Sequence, residues 1–127
     1  MTINHLFVYV QPQRMASMRS FYRAILQPLG YTELLYANGG KILGFGSDYP
    51  YIFLQQVPEN HQPYPAHIAV DAPSKTLYKI LSNGGKDNGK PGIRHEMSRQ
   101  PYYAGFIIDP EGNNLEAVCV DKKGVRN

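Results

Sequence analysis

The stretch Pro101–Val120, PYYAGFIIDPEGNNLEAVCV, constrains this chain more than any other. Tyr102 to Ile108 are aromatic, β-branched or small, and Leu115 to Val120 return to that character, so each side suits a strand. Between them, Asp109-Pro110-Glu111-Gly112-Asn113 sets Pro, with its fixed φ, and Gly, with no Cβ, where a turn needs them. The stretch predicts a hairpin. Within it Glu116 lies among Leu115, Ala117, Val118 and Cys119, where a carboxylate is costly to bury unless paired or bound to a cation.

Upstream, Ile3 to Val10 are rich in β-formers, and a strand there puts Leu6, Val8 and Val10 on one face and His5, Phe7 and Tyr9 on the other. The aliphatic face should pack on a helix, leaving the second to line a concave surface. That helix is predicted over about Gln13–Gln27, where Met15, Met18, Tyr22, Ile25, Leu26 and Leu29 recur at three- and four-residue steps, until Pro28 and Gly30 stop it. Strands follow over 31–37, 41–46 and 51–57, separated by Asn38-Gly39-Gly40 and Ser47-Asp48-Tyr49-Pro50. The first half reads βαβββ.

A proline-rich linker at about 58–65 carries His61, and the second half repeats the order. Ala66 to Asp71 form a strand, and Pro73 opens a helix striped by Leu77, Ile80 and Leu81 that ends at Asn83-Gly84-Gly85. An irregular strand over 86–99 and the hairpin close it. The reading is an α+β chain of one domain, 1–127, with module one at about 1–57 and module two at about 66–121.

With 43% apolar and 18% charged residues the chain is an ordinary globular protein, and no apolar run approaches the roughly 20 residues needed to cross a bilayer. One cysteine excludes an internal disulfide and points to the reducing cytoplasm, and the first residues lack the pattern of a signal peptide. The net charge of +3 is scattered rather than gathered into a stripe, so no nucleic-acid partner is expected. Small molecules are.

The closing hairpin, aromatic-x-x-x-x-Asp-Pro-x-Gly-Asn-x-x-Glu, resembles the last two strands of the vicinal oxygen chelate superfamily, which includes glyoxalase I, bleomycin- and fosfomycin-resistance proteins and extradiol dioxygenases. Ile3-Asn4-His5-Leu6-Phe7-Val8-Tyr9-Val10, with Phe21-Tyr22 and Leu26-Gln27-Pro28-Leu29-Gly30-Tyr31, is similar to that family's opening strand and helix. Ala66-His67-Ile68-Ala69-Val70, Gly84 to Gly89 and Pro91-Gly92 are similar to the second half of a small glyoxalase-like branch. The resemblance implies two βαβββ modules paired into a curved, partly open barrel whose cavity holds a metal, and a homodimer, since this family often swaps modules between chains.

His5, His67 and Glu116 match the family's metal positions, and strand alternation puts each on the face opposite its own strand's apolar stripe. Two imidazoles and a carboxylate leave positions open on a divalent ion, whether Ni, Mn, Zn or Fe, for water and substrate. Gln55 or Gln56 is the weak candidate for the family's fourth ligand, and adjacent strand positions let at most one serve. Phe7, Tyr9, Phe53, Tyr103 and His95 are the candidate substrate-binding residues.

Two functions follow. One is a metal-dependent glyoxalase-like lyase or isomerase acting on a small oxygenated substrate, its catalytic base unassigned. The other is a non-catalytic drug-binding protein of the bleomycin-resistance kind. A dioxygenase ranks lower, since extradiol enzymes usually have more modules. The enzyme requires His5, His67 and Glu116 to converge within roughly 2.0–2.3 Å of one ion.

Overall fold

The computed structural model of the chain describes residues 1–72 and 104–119 in full, and the backbone at 86–87, 92–94 and 102–103. The first module runs β1 (Leu6–Val10), α1 (Met15–Leu26), β2 (Thr32–Ala37), β3 (Ile42–Gly46) and β4 (Pro50–Gln56), with short 3-10 turns flanking α1. Its sheet has the order β1-β4-β3-β2, with β1 parallel to β4 and the other pairs antiparallel. The expected βαβββ order is present. Gly30 ends the helical segment at φ 80°, a left-handed conformation that suits glycine.

The second module holds β5 (His67–Asp71), β6 (Lys86–Asp87), β7 (Gly92–Arg94), β8 (Tyr102–Ile108) and β9 (Asn114–Cys119). Its order is β5-β9-β8-β6, with β7 also on β8, and β5 runs parallel to β9 as β1 does to β4. Of the irregular strand expected over 86–99, the described residues are Lys86–Asp87 and Gly92–Arg94, both in strands paired with β8. The helix expected over 73–85 lies outside the described residues.

The aliphatic faces meet where the sequence places them. Met15, Met18, Phe21, Tyr22, Ile25 and Leu26 of α1 pack against Val8, Val10, Leu43, Phe45, Ile52 and Leu54 of the first sheet. Ile107, Leu115 and Ala117 of the second sheet join the same cluster. Fully burying each of the larger side chains contributes about 1.5–3 kcal/mol. Because the inner faces of both sheets share one core with α1, the faces bearing the candidate residues are turned away from it. Within one chain the sheets are therefore not closed into a barrel.

The turn of the closing hairpin fastens the modules. Gly112 takes φ 94°, and its N–H donates to the Asp109 carbonyl at 3.0 Å. The buried Asp109 carboxylate accepts from the Glu111 and Asn113 N–H groups, the Asn113 amide and, across the core, Tyr22 Oη at 2.7 Å. Burial, then the neighbouring Asp109 charge and its hydrogen bond, hold the Tyr22 phenol well above its ordinary range. Glu111 accepts from the Gln11 N–H, the Gln11 amide and the Arg14 guanidinium at 3.1, 2.6 and 3.2 Å. No helix among the described residues is long and apolar enough to cross a membrane.

Candidate functional site

The parallel register of β5 and β9 sets His67 beside Asn114 and Ala69 beside Glu116, while β8 sets Phe106 beside Glu116. Period-two alternation then puts His67, Asn114, Glu116 and Phe106 on one face, opposite Leu115, Ala117 and Ile107. Glu116 is 5% exposed. Its Oε2 lies 2.8 Å from His67 Nε2. A carboxylate oxygen only accepts, so Nε2 carries the proton. Among the described residues His67 is Glu116's one hydrogen-bond partner.

His67 itself is half open, with 56% of its side chain exposed against 7% for Glu116. The Asn114 amide nitrogen lies 3.3 Å from Nδ1, and the Phe106 ring meets the imidazole edge to face at 6.4 Å. Imidazole nitrogen and carboxylate oxygen are both common donors to divalent ions, and here the two are held 2.8 Å apart by a hydrogen bond.

His5 stands on the open face of the other sheet. Its Nδ1 is 2.7 Å from Asn4 Oδ1, and its ring meets Phe7 and Phe53 edge-on at 5.8 and 5.6 Å. Phe7 and Phe53, paired in register, stack at 4.7 Å and 8°. Tyr9 pairs with Gln55 on this face, and Gln56 pairs with Val10 on the core side, so of the two amides only Gln55 shares the face of His5. Hollows of about 400 Å³ flank β1, one at His5, Tyr31 and Ile68, the other at Tyr9, His61 and Tyr64.

Among the described residues no three His, Cys, Asp or Glu side chains stand close enough to hold an ion. One chain thus joins His67 to Glu116 and leaves His5 with the aromatic stack. Tyr103 stands opposite Cys119 in the β8–β9 register, while its side chain and the whole of His95 lie outside the described residues. Asn114 and Phe106 were not among the candidates read from the sequence. They become visible once β9 is known to pair with both β5 and β8.

No protein-family model and no curated protein matches the sequence. Solved structures do match. A glyoxalase/bleomycin resistance protein from Albidiferax ferrireducens T118 superposes with a TM-score of 0.67 at 22% identity, over 89% of this chain and 96% of that one. The chain has the glyoxalase/bleomycin-resistance fold. A glyoxalase/dioxygenase from Nostoc punctiforme shares that fold at TM-score 0.59 and 22% identity, covering 95% and 92% of the two chains. An integron cassette protein from V. cholerae shares it at 0.64 and 17%, covering 95% and 98%. The glyoxalase-like topology thus spans both modules, and it places a buried carboxylate and an exposed imidazole side by side on an open sheet face.

Proposed function

We propose that the chain is a metal-dependent enzyme of the glyoxalase type, performing lyase or isomerase chemistry on a small oxygenated molecule. His67 and Glu116 of one copy and His5 of a second copy would hold one divalent ion, with Gln55 as the fourth candidate ligand. The observation that carries this reading is Glu116, a buried carboxylate whose one side-chain partner among the described residues is an imidazole nitrogen at 2.8 Å. A second copy is invoked because β1 and β5 are outer strands of separate sheets and their histidine-bearing faces turn away from the shared core. A two-fold arrangement that sets β1 of one copy near β5 of the other supplies His5 to the pair twice.

When bound, such an ion supplies a Lewis acid for vicinal oxygens of the substrate. The protein's own share is to orient His67 and Glu116 and to offer Phe7, Phe53 and Tyr9 as a wall for the substrate's apolar part. Phe7 and Tyr9, at 38% and 49% exposure, are open to contact. That exposed stack also favours a second reading, a non-catalytic pocket for a flat aromatic drug.

The test is calorimetric titration of chelator-stripped protein with Ni²⁺, Mn²⁺, Zn²⁺ and Fe²⁺, with light scattering to weigh the assembly. The expected result is one ion per chain in a dimer, abolished by Glu116→Ala and weakened strongly by His5→Ala. An absence of binding, or binding that survives Glu116→Ala, would sink the metal centre and leave the aromatic pocket as the function to pursue.

A further inference from the structure

The imidazole of His67 is gripped at both nitrogens, by Glu116 at Nε2 and by Asn114 at Nδ1. The second grip is built into the sheet, since Asn114 is the residue directly opposite His67 in the parallel register and its own N–H is tied to the Ala66 carbonyl at 2.8 Å. With more than half of the His67 side chain exposed, no close-packed wall encloses the ring. Among the described residues, the Phe106 edge and the two hydrogen bonds are what oppose rotation about χ2, which is broad for histidine.

Building on the metal centre inferred above, we propose that Asn114 is a positioning residue for His67. It holds the ring so that Nε2, rather than a carbon, faces the Glu116 carboxylate. An amide suits both states of this ring, because its nitrogen donates to a bare Nδ1 and its oxygen accepts from an Nδ1–H. In the metal-free protein Nε2 carries the proton and the amide nitrogen serves Nδ1. With Nε2 given to an ion, the neutral ring carries its proton at Nδ1, and the same side chain serves by turning its amide over. A partner of this kind on a ligating histidine is worth 10- to 100-fold in metal affinity.

Two readouts test it, the ring ¹⁵N resonances of His67 in metal-free protein and the affinity for Zn²⁺. Asn114→Leu should move Nδ1 toward the position of an acceptor without a partner, weaken the Nε2–H signature of the bond to Glu116 as the ring loses its fixed orientation, and weaken Zn²⁺ by about tenfold. Asn114→Asp, which still accepts from Nδ1–H, should restore the affinity, and Asn114→Ser offers a smaller polar replacement if the leucine variant does not fold. An Nδ1 resonance that is the same in wild type and Asn114→Leu overturns the positioning role. A wild type that binds no Zn²⁺ instead overturns the metal centre beneath it, and the nitrogen spectra still judge the grip on the ring.

Discussion

Asp109 and Glu116 lie on one hairpin and are equally hidden from water, at 4% and 5% exposure, yet they are satisfied in different ways. Asp109 accepts from two backbone N–H groups, the Asn113 amide and Tyr22 Oη, which is close to the full complement of a carboxylate. Glu116 has the His67 ring alone among the described residues. A buried acceptor with four donors is fastened to the fold. One with a single donor among the described residues, on the open face of a sheet, keeps lone pairs available to a ligand. The contrast separates a structural carboxylate from a candidate functional one without reference to any relative.

Substitutions can break that contrast. The largest loss is expected from Asp109→Ala, which strands four donors around a buried turn and should cost about 3–5 kcal/mol in urea unfolding. Glu111→Ala removes the three-donor clasp on Gln11 and Arg14 and should cost about 2–3 kcal/mol, leaving metal affinity within about twofold if the clasp serves only the fold.

Tyr22→Phe removes one donor to Asp109 and should cost about 1–1.5 kcal/mol near neutral pH. It also carries a pH signature. The Tyr22 phenol is held above its ordinary value, so the unfolded chain releases that proton first, and the stability it contributes is present below about pH 10 and lost as pH rises beyond it. Unfolding curves from pH 9 to 11 should therefore fall less steeply in Tyr22→Phe than in wild type. Equal slopes would mean that Asp109 and Tyr22 do not share the buried hydrogen bond.

The smallest effect on stability, within about 1 kcal/mol, is expected from Glu116→Gln, which keeps an oxygen for His67 Nε2–H and removes the charge. It should nonetheless abolish ion binding. If Glu116→Gln destabilises as much as Asp109→Ala, the two carboxylates are alike and the functional reading of Glu116 fails.

Much of this architecture was legible in the sequence. Period-two alternation gives the right faces for Val8 and Val10 against Phe7 and Tyr9, and for Leu115 and Ala117 against Glu116, because a strand's side chains alternate whatever it pairs with. The three- and four-residue spacing of Met15, Met18, Tyr22, Ile25 and Leu26 gives the buried side of α1 for the same kind of local reason. Asp109 and Glu111 were legible only as turn residues. Their partners Tyr22, Arg14 and Gln11 lie some 87 to 100 positions away, and nothing in a five-residue turn encodes such distant donors.

The sequence by itself determined the βαβββ order of the first module, the side that β1, β5, β9 and α1 turn to the core, and the candidacy of His5, His67 and Glu116. Only the tertiary structure decided which of these meet. Parallel pairing of β5 with β9 brings His67 to Glu116 and Asn114, and packing of both inner faces on α1 keeps His5 on a separate open face. The physical reason is one of range. Alternation and helical period are fixed by covalent geometry within a few residues, whereas the pairing of strands and the sharing of a core are set by contacts between segments tens of residues apart.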